Sequence, residues 1–203
     1  MGIFSPLETT RLMLRELKKD DLTFIHQYLS DIDVCKYMVF DPLSLKQSKE
    51  YVKKYISFQK DLPRKFIKFV LIQKDTNILI GECGITICNF KHMDGELVFR
   101  INKLFWGCGF GTEAVKKMIH FGFNDLSLHR IHAFCDIRNE GSIKVLEKAG
   151  LQKEGYMREH LNIKGFWRSS YLYACLSQDY INNDNKNMLS HNTAKASISY
   201  LLD

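Results

Sequence analysis

Apolar residues change their spacing along this chain in a readable order. From 7 to 17 they alternate, with Leu12 and Leu14 set against Arg11, Met13 and Arg15, which predicts a half-buried strand. Asp20 and Asp21 then stand before Leu22, Ile25, Tyr28 and Leu29, a capped helix with one apolar face. Asp41-Pro42 breaks the chain, and Ser44 with Gln47 forms a capping box for a second helix carrying Leu45, Tyr51, Val52, Tyr55 and Ile56. Leu62-Pro63 ends it. Three strands follow at 65–73, 78–88 and 96–101, separated by the turn Lys74-Asp75-Thr76-Asn77 and the turn signal Asp94-Gly95, and they read as an antiparallel meander. Gly81 and Gly84 mark bulge positions in the second of them. Ala114, Val115, Met118, Ile119, Gly122 and Phe123 recur at helical spacing up to about Asn124. A strand at 130–137 and a helix at 139–149 come next, the helix opened by Asn139 and stopped by Gly150. Strands near 153–160 and 168–176, joined through Asn162-Ile163-Lys164-Gly165, complete the pattern.

After Ser177 the pattern stops. Residues 178–197 are mostly Asn, Asp, Lys, Ser and Gln, with little to bury. The reading is therefore one domain over 1–176 and a polar tail over 177–203 that is mobile, or docks through its short apolar end at 198–202. No apolar run approaches the length of a membrane span, and the first residues lack the zones of a secretory leader, so a cytoplasmic protein is expected. Six cysteines, at 35, 83, 88, 108, 135 and 175, show no paired metal spacing and read as reduced thiols. His129 and His132 are three apart on a predicted strand, hence on opposite faces and not a metal pair. No metal is expected.

The net charge of +6 suits an anionic ligand. A site for one is present. Trp106-Gly107-Cys108-Gly109-Phe110-Gly111-Thr112 places three glycines at alternate positions directly before a helix. Glycine permits positive φ and close approach of a ligand. The first N–H groups of a helix have no internal partner, and its dipole favours negative charge there. Such a loop is a phosphate site or a tight turn packed with small residues.

The element order and three motifs carry a resemblance. Trp106-Gly107-Cys108-Gly109-Phe110-Gly111 matches the loop Gln/Arg-x-x-Gly-x-Gly/Ala of the GNAT N-acetyltransferases, with Trp in place of its first residue. Trp-Gly-x-Gly-x-x-Thr-Glu-Ala is the form of the branch that contains the bacterial ribosomal-protein N-acetyltransferases. Asn139-Glu140-Gly141-Ser142-Ile143-Lys144-Val145-Leu146-Glu147-Lys148-Ala149-Gly150-Leu151, followed by Glu154-Gly155-Tyr156-Met157-Arg158, resembles that branch's Asn-x-x-Ser-x-x-x-Leu-Glu-Lys-x-Gly-Phe. Gly95-Glu96-Leu97-Val98-Phe99 is similar to its Glu-bearing fourth strand. The resemblance covers about residues 7–176 and implies an α/β (α+β) fold: a mixed, mostly antiparallel seven-stranded sheet flanked by about four helices, in the order β-α-α-β-β-β-α-β-α-β-β.

It further implies acetyl transfer from acetyl-CoA to a primary amine. The pyrophosphate would rest on the backbone of Gly107, Cys108, Gly109, Phe110, Gly111 and Thr112, and the pantetheine would pair with the backbone near Ile101. Asn139 would bond the pantetheine, cap its helix, or do both. Glu96 is the candidate base, or else a surface or cross-strand partner of Arg100. Ser142 is the candidate acid for the leaving thiolate, or a capping residue; the Tyr that many relatives carry four residues further on is Leu146 here. A lysine amine is neutral near pH 7 only about once in several thousand molecules, an α-amine roughly once in ten, a difference of about 3 kcal/mol. One carboxylate working through water is better matched to an α-amine, as in a ribosomal protein's N-terminus. The alternatives are a polyamine, amino-acid or antibiotic amine, or a CoA sensor without catalysis. Trp106 and Trp167 read as packing residues before substrate platforms, although Trp167 lies near a loop that could border the acceptor site, and Ser169 replaces the branch's Asp there. The chain is expected to be a monomer or homodimer, and no basic stripe interleaved with aromatics points to nucleic acid. A dinucleotide site built on Gly109-Phe110-Gly111-Thr112-Glu113-Ala114 with Asp136 is disfavoured by the antiparallel meander before it.

Overall fold

The computed structural model describes residues 4–180. In chain order its elements are β1 (Leu7–Glu8), β2 (Leu12–Glu16), α1 (Leu22–Leu29), α2 (Ile32–Cys35), α3 (Leu45–Phe58), β3 (Phe66–Gln73), β4 (Ile78–Asn89), β5 (Asp94–Ile101), α4 (Phe110–Asn124), β6 (Arg130–Asp136), α5 (Glu140–Lys148), β7 (Gln152–Ile163) and β8 (Phe166–Leu176). The strands form one sheet in the order β1-β2-β3-β4-β5-β6-β8-β7. Every pair is antiparallel except β5 with β6.

Strand alternation sends apolar side chains to both faces, so the sheet needs a helical layer on each. Leu12, Leu14, Phe69, Leu71, Ile85, Leu97 and Ile131 pack with Ala114, Val115, Met118 and Ile119 of α4 and Leu146 of α5. On the other face Val70, Ile72 and Leu79 meet Ile25, Tyr28, Leu29 and Val52 from α1 and α3. The caps of α3 and α5 lie where the residue types place them, whereas Asp21, expected to cap α1, makes no side-chain cap there and its carboxylate is held by Arg15 at 2.7 Å. Ser44 Oγ accepts from Gln47 N–H at 3.3 Å while Gln47 Oε1 accepts from Ser44 N–H at 2.8 Å, and Asn139 Oδ1 accepts from Ser142 N–H at 3.1 Å.

The fold departs from the expected element list in four places. The sheet has eight strands among the described residues, not seven, because the stretch 7–17 is a hairpin: β1 folds onto β2, Leu7 facing Leu14. Thr9 makes the turn, its hydroxyl accepting from Leu12 N–H at 2.9 Å. A four-residue helix, α2, is added behind Asp31, whose carboxylate accepts from Asp33 and Val34 N–H. Asp94 and Gly95 lie inside β5, and the reversal is made by residues 90–93, with Met93 at φ 50°. Among the expected bulges, the register shifts beside Gly81 and not at Gly84. Of the tail, 177–180 is a helical turn, where Tyr180 hydroxyl lies 2.8 Å from His120 Nδ1 on α4. The rest of the tail, including 198–202, lies outside the described residues.

β5 and β6 position the site. They pair only over Asp94–Glu96 and Arg130–His132. Beyond that short ladder the two strands part.

Candidate active site

The parting leaves an unpaired backbone edge. Asn102 N–H donates to Ile80 O on β4 at 2.8 Å, and no register shift interrupts β4–β5 from Glu96 to Ile101. Alternation therefore turns the N–H and C=O groups of Leu97, Phe99 and Ile101 away from β4, toward the side where β6 no longer pairs. The Ile101 carbonyl accepts from Trp106 Nε1 at 2.8 Å, so its N–H is the group left for a ligand strand. An extended amide such as pantetheine fits an edge of this kind.

The glycine loop lies at the open end. Gly107 and Gly109 have φ of 75° and 81°, the left-handed region that glycine tolerates and branched residues resist. Gly111 is different: it is already helical, and a Cβ there would come 3.2 Å from Val145 Cγ2 of α5. Its small size keeps α4 and α5 close. The first intrahelical bond of α4 is Glu113 N–H to Gly109 O at 3.1 Å, which leaves the N–H groups of Phe110, Gly111 and Thr112 without helical partners. With the α4 dipole behind them they make an anion site.

A latch that sequence reading missed holds this loop. Arg11 Nη1 donates to Cys108 O at 3.0 Å, and its guanidinium lies 4.4 Å from the centre of the Phe110 ring. Glu113 accepts from Thr9 hydroxyl at 2.6 Å, from Arg11 N–H at 2.8 Å and from Arg11 Nε at 2.7 Å. Burial alone would raise the Glu113 carboxyl, but these bonds bring it below its ordinary value. The signal was a Thr-x-Arg and a helix-start Glu about a hundred residues apart, a pairing that only the fold makes visible.

Glu96 sits where the β5–β6 ladder ends, opposite Thr86 on β4 and His132 on β6. It is half-buried, and its carboxylate makes no hydrogen bond or ion pair among the described residues. Arg100 is not its partner; Arg100 pairs with Glu82. The neighbours of Glu96 are chemical ones. His132 is buried, with Nδ1 3.0 Å from Asp94 Oδ1. Cys88 is the unpaired residue of a bulge between Ile87 and Asn89. Burial, then the charges of Glu96 and Asp94, push its thiol up.

Further along the same face lie Val98 and Arg100 of β5 and Phe134 and Asp136 of β6. Phe134 lies against His132 edge-on and against His160 at a tilt, with ring centres 5.4 and 4.8 Å away. His160 Nδ1 is buried without a partner among the described residues. Asp136 is held by Arg138 at 2.7 Å and Arg168 at 3.8 Å. Burial would raise its carboxyl; the Arg138 bonds and both charges draw it down. The 36–41 segment covers this end: Lys36 O accepts from Arg168 at 3.1 Å, Tyr37 lies under Arg138 at 5.8 Å, and Phe40 under Arg100 at 5.6 Å. The outcome, where β5 and β6 part, is a face with several cations on which Glu96 is the unpaired carboxylate among the described carboxylates of those two strands.

Ser142 is in the first turn of α5, next to the α4 start, as the Gly111–Val145 approach shows. Its N–H is bound by Asn139, and its hydroxyl makes no hydrogen bond among the described residues. Asn139 caps through its oxygen, which leaves its amide NH₂ for a ligand. Leu146 is 1% exposed in the core and supplies no acid. Trp167 is exposed on the β7–β8 hairpin, and Ser169 Oγ accepts from Glu159 N–H at 3.1 Å. Trp106 is spent on Ile101.

Similarity to known proteins identifies the family of the chain. The family described as Acetyltransferase (GNAT) domain matches residues 11–152. The Bacillus licheniformis protein named uncharacterized N-acetyltransferase p20 is 33% identical over 86% of this chain and 97% of its own. Spermidine N(1)-acetyltransferase of Vibrio cholerae is 25% identical over 85% of this chain and 97% of its own. The crystal structure of a GNAT-family acetyltransferase from Bacillus anthracis superposes with a TM-score of 0.77, at 28% identity, over 86% of this chain and 99% of that one. The chain belongs to the GNAT acetyltransferase family and is an N-acetyltransferase, using acetyl-CoA and an amine as that family does. No helix among the described residues is long and apolar enough to cross a membrane.

Proposed function

We propose that this protein acetylates an α-amine, in the first place the N-terminus of a protein, with Glu96 as base and Ser142 as acid. The observation that carries the reading is the Glu96 carboxylate, unpaired at the point where β5 and β6 part. Acetyl-CoA would lie along the free edge of Leu97, Phe99 and Ile101, its pyrophosphate on the N–H groups that open α4. Through a water, Glu96 takes a proton from the amine. The amine nitrogen then forms the new C–N bond at the thioester carbonyl, whose developing oxyanion meets a backbone N–H of β5. The C–S bond breaks as the tetrahedral intermediate collapses; the Ser142 hydroxyl gives its proton to the departing sulfur and is reprotonated by the extra proton that the newly acylated nitrogen sheds, leaving the amide and CoA thiol. A thiolate with pKa about 8.5 needs modest help to leave.

The charge of the cleft supports an α-amine. Asp136 is spent on two arginines and Glu82 on four donors, so among the described carboxylates on this face of β4, β5 and β6 a polyamine would find Glu96 alone free, with Arg100, Arg138 and Arg168 on the same face. An acceptor with acidic or carbonyl groups beside its amine suits those cations better. The second reading, a polyamine, is favoured by the relative named spermidine N(1)-acetyltransferase. An acceptor panel separates the two. Acetyl-CoA is offered with peptides of free N-terminus, the same peptides blocked at the N-terminus but carrying lysine, and spermidine, with products read by mass spectrometry. Acetylation of the free α-amine above both others is expected. Spermidine as the better acceptor would overturn the reading.

A further inference from the structure

Three strands bring a soft, mixed donor set to one spot. One ligand atom each from Cys88, Glu96 and His132 lies within 4.8 Å of the other two. Cys88 comes from the bulge at the end of β4, Glu96 from β5, and His132 from the opposite position on β6. We propose that Cys88, Glu96 and His132 bind a single zinc-type divalent ion, and that its occupancy shuts off acetyl transfer. The second half rests on Glu96 being the base.

The donor set selects the ion. Thiolate, imidazole and carboxylate are the ligands zinc takes, whereas magnesium and calcium prefer oxygen alone. Zinc–ligand bonds of about 2.0–2.3 Å put tetrahedral ligand atoms about 3.3–3.8 Å apart. The three donors need to draw in by about 1 Å. Cys88 is exposed at a bulge and the Glu96 carboxylate has no competing partner among the described residues, so both have room to move. Three protein ligands leave the fourth position to water or to a ligand from the cleft.

The second shell points the same way. Asp94 Oδ1 lies 3.0 Å from His132 Nδ1. With Nδ1 donating to that carboxylate, Nε2 carries the lone pair, which is the carboxylate–histidine–metal arrangement. Among the described residues, the cations near the group are Arg130, whose charge is directed to Glu154 at 2.6 Å and Asp94 at 3.7 Å, and Lys65, whose charge reaches the Cys88 thiol. An ion held here would take the Glu96 carboxylate out of reach of the amine's proton.

Cobalt(II) reports the binding without any turnover. Titrating the intact protein with Co²⁺ should give a saturable one-to-one thiolate-to-cobalt charge-transfer band with tetrahedral d–d bands, displaced by Zn²⁺. Cys88→Ser should lose the charge-transfer band, while Cys108→Ser, the other exposed thiol, should keep it. Asp94→Asn should weaken Co²⁺ binding by about 10–100-fold. Absence of a saturable band, or its persistence in Cys88→Ser, would overturn the site. Acetylation is then followed with and without Zn²⁺, each variant against its own metal-free rate. Inhibition in the wild type, relieved in Cys88→Ser, supports the full proposal. Inhibition equal in both overturns it. If cobalt binds as described but Zn²⁺ leaves the rate intact, the metal site stands and Glu96 as base falls.

Discussion

Two glutamates on neighbouring strands share one face of the sheet and have opposite surroundings. Glu82 on β4 is 1% exposed and accepts from Tyr28 hydroxyl at 3.1 Å, Tyr51 hydroxyl at 2.5 Å and Lys68 Nζ at 2.9 Å, and from Arg100. Glu96 on β5, opposite Thr86 four residues further along β4, accepts from none of the described residues. A carboxylate committed to four donors holds elements together: Tyr28 belongs to α1, Tyr51 to α3, Lys68 to β3 and Arg100 to β5. A carboxylate left open at the edge of a cleft is available to a substrate or an ion. Both are glutamates in apolar strands, and commitment of the side chain is what divides structure from chemistry.

The largest effect is expected at Glu82. Glu82→Ala leaves Lys68 and Arg100 buried without their counter-charge, a change that costs about 3–5 kcal/mol. Urea unfolding should show it as a lower midpoint at unchanged slope. The pH dependence follows from the same cluster. Burial would raise the Glu82 carboxyl, but Lys68 and Arg100 hold it at about 2, below its ordinary 4.5. A depressed carboxyl contributes stability above 4.5 that is lost as pH falls toward 2. Burial lowers the Lys68 amine from 10.5 to about 8 against the pull of Glu82. The unfolded chain then binds more protons between those values, so stability rises with pH across that window. Unfolding midpoints measured against pH should show both trends, and Glu82→Gln should flatten the acid one. An acid loss unchanged in Glu82→Gln would mean that other carboxylates carry it.

Glu96 should behave in the opposite way. Glu96→Gln should change stability by no more than about 0.5 kcal/mol, as for an unpaired surface group. It should lower acetyl transfer by about 10²-fold or more with acetyl-CoA affinity kept. Calorimetry and steady-state rates check the two halves separately. A large stability loss with normal turnover would put Glu96 in the same class as Glu82 and leave the base to another group, with His132 beside Asp94 the next choice.

Most of the fold was readable in the sequence because its signals are local. The helix from Asn139 to Gly150 carries its own start and stop, and Gly150 has φ 98° as a stop residue needs. The meander and the glycine loop were equally local. The β1–β2 hairpin was not, since its turn is fixed by Thr9 and by Glu113, which lies on the far side of the chain. Nor was the Glu82 cluster: the run 78–88 reads as apolar, and a single Glu within it gives no hint of four donors from four elements. The group at Cys88, Glu96 and His132 escaped for the same reason. Spacing along the chain offers His129 and His132, which do not share a face, whereas the register of three strands sets His132 beside Glu96.

The smallest effect is expected at Ser142, and it tests whether the polar groups of the cleft divide as the two glutamates do. Ser142 contributes its N–H to the Asn139 cap and has a hydroxyl without a partner among the described residues. Ser142→Ala keeps the N–H and therefore the cap, so the melting temperature should stay within about a degree or two, given that surface changes stay within about 0.5 kcal/mol. Asn139→Ala, which removes the cap, should cost about 1 kcal/mol and serves as the structural reference. If the hydroxyl protonates the departing thiolate, Ser142→Ala should lower kcat with KM for acetyl-CoA unchanged. The loss should be smaller than in Glu96→Gln, because a thiol of pKa about 8.5 departs readily as its anion. An unchanged kcat would place Ser142 with the capping groups and leave the thiolate to be protonated by water. A rise in KM with kcat intact would instead make the hydroxyl a binding contact for the cofactor arm.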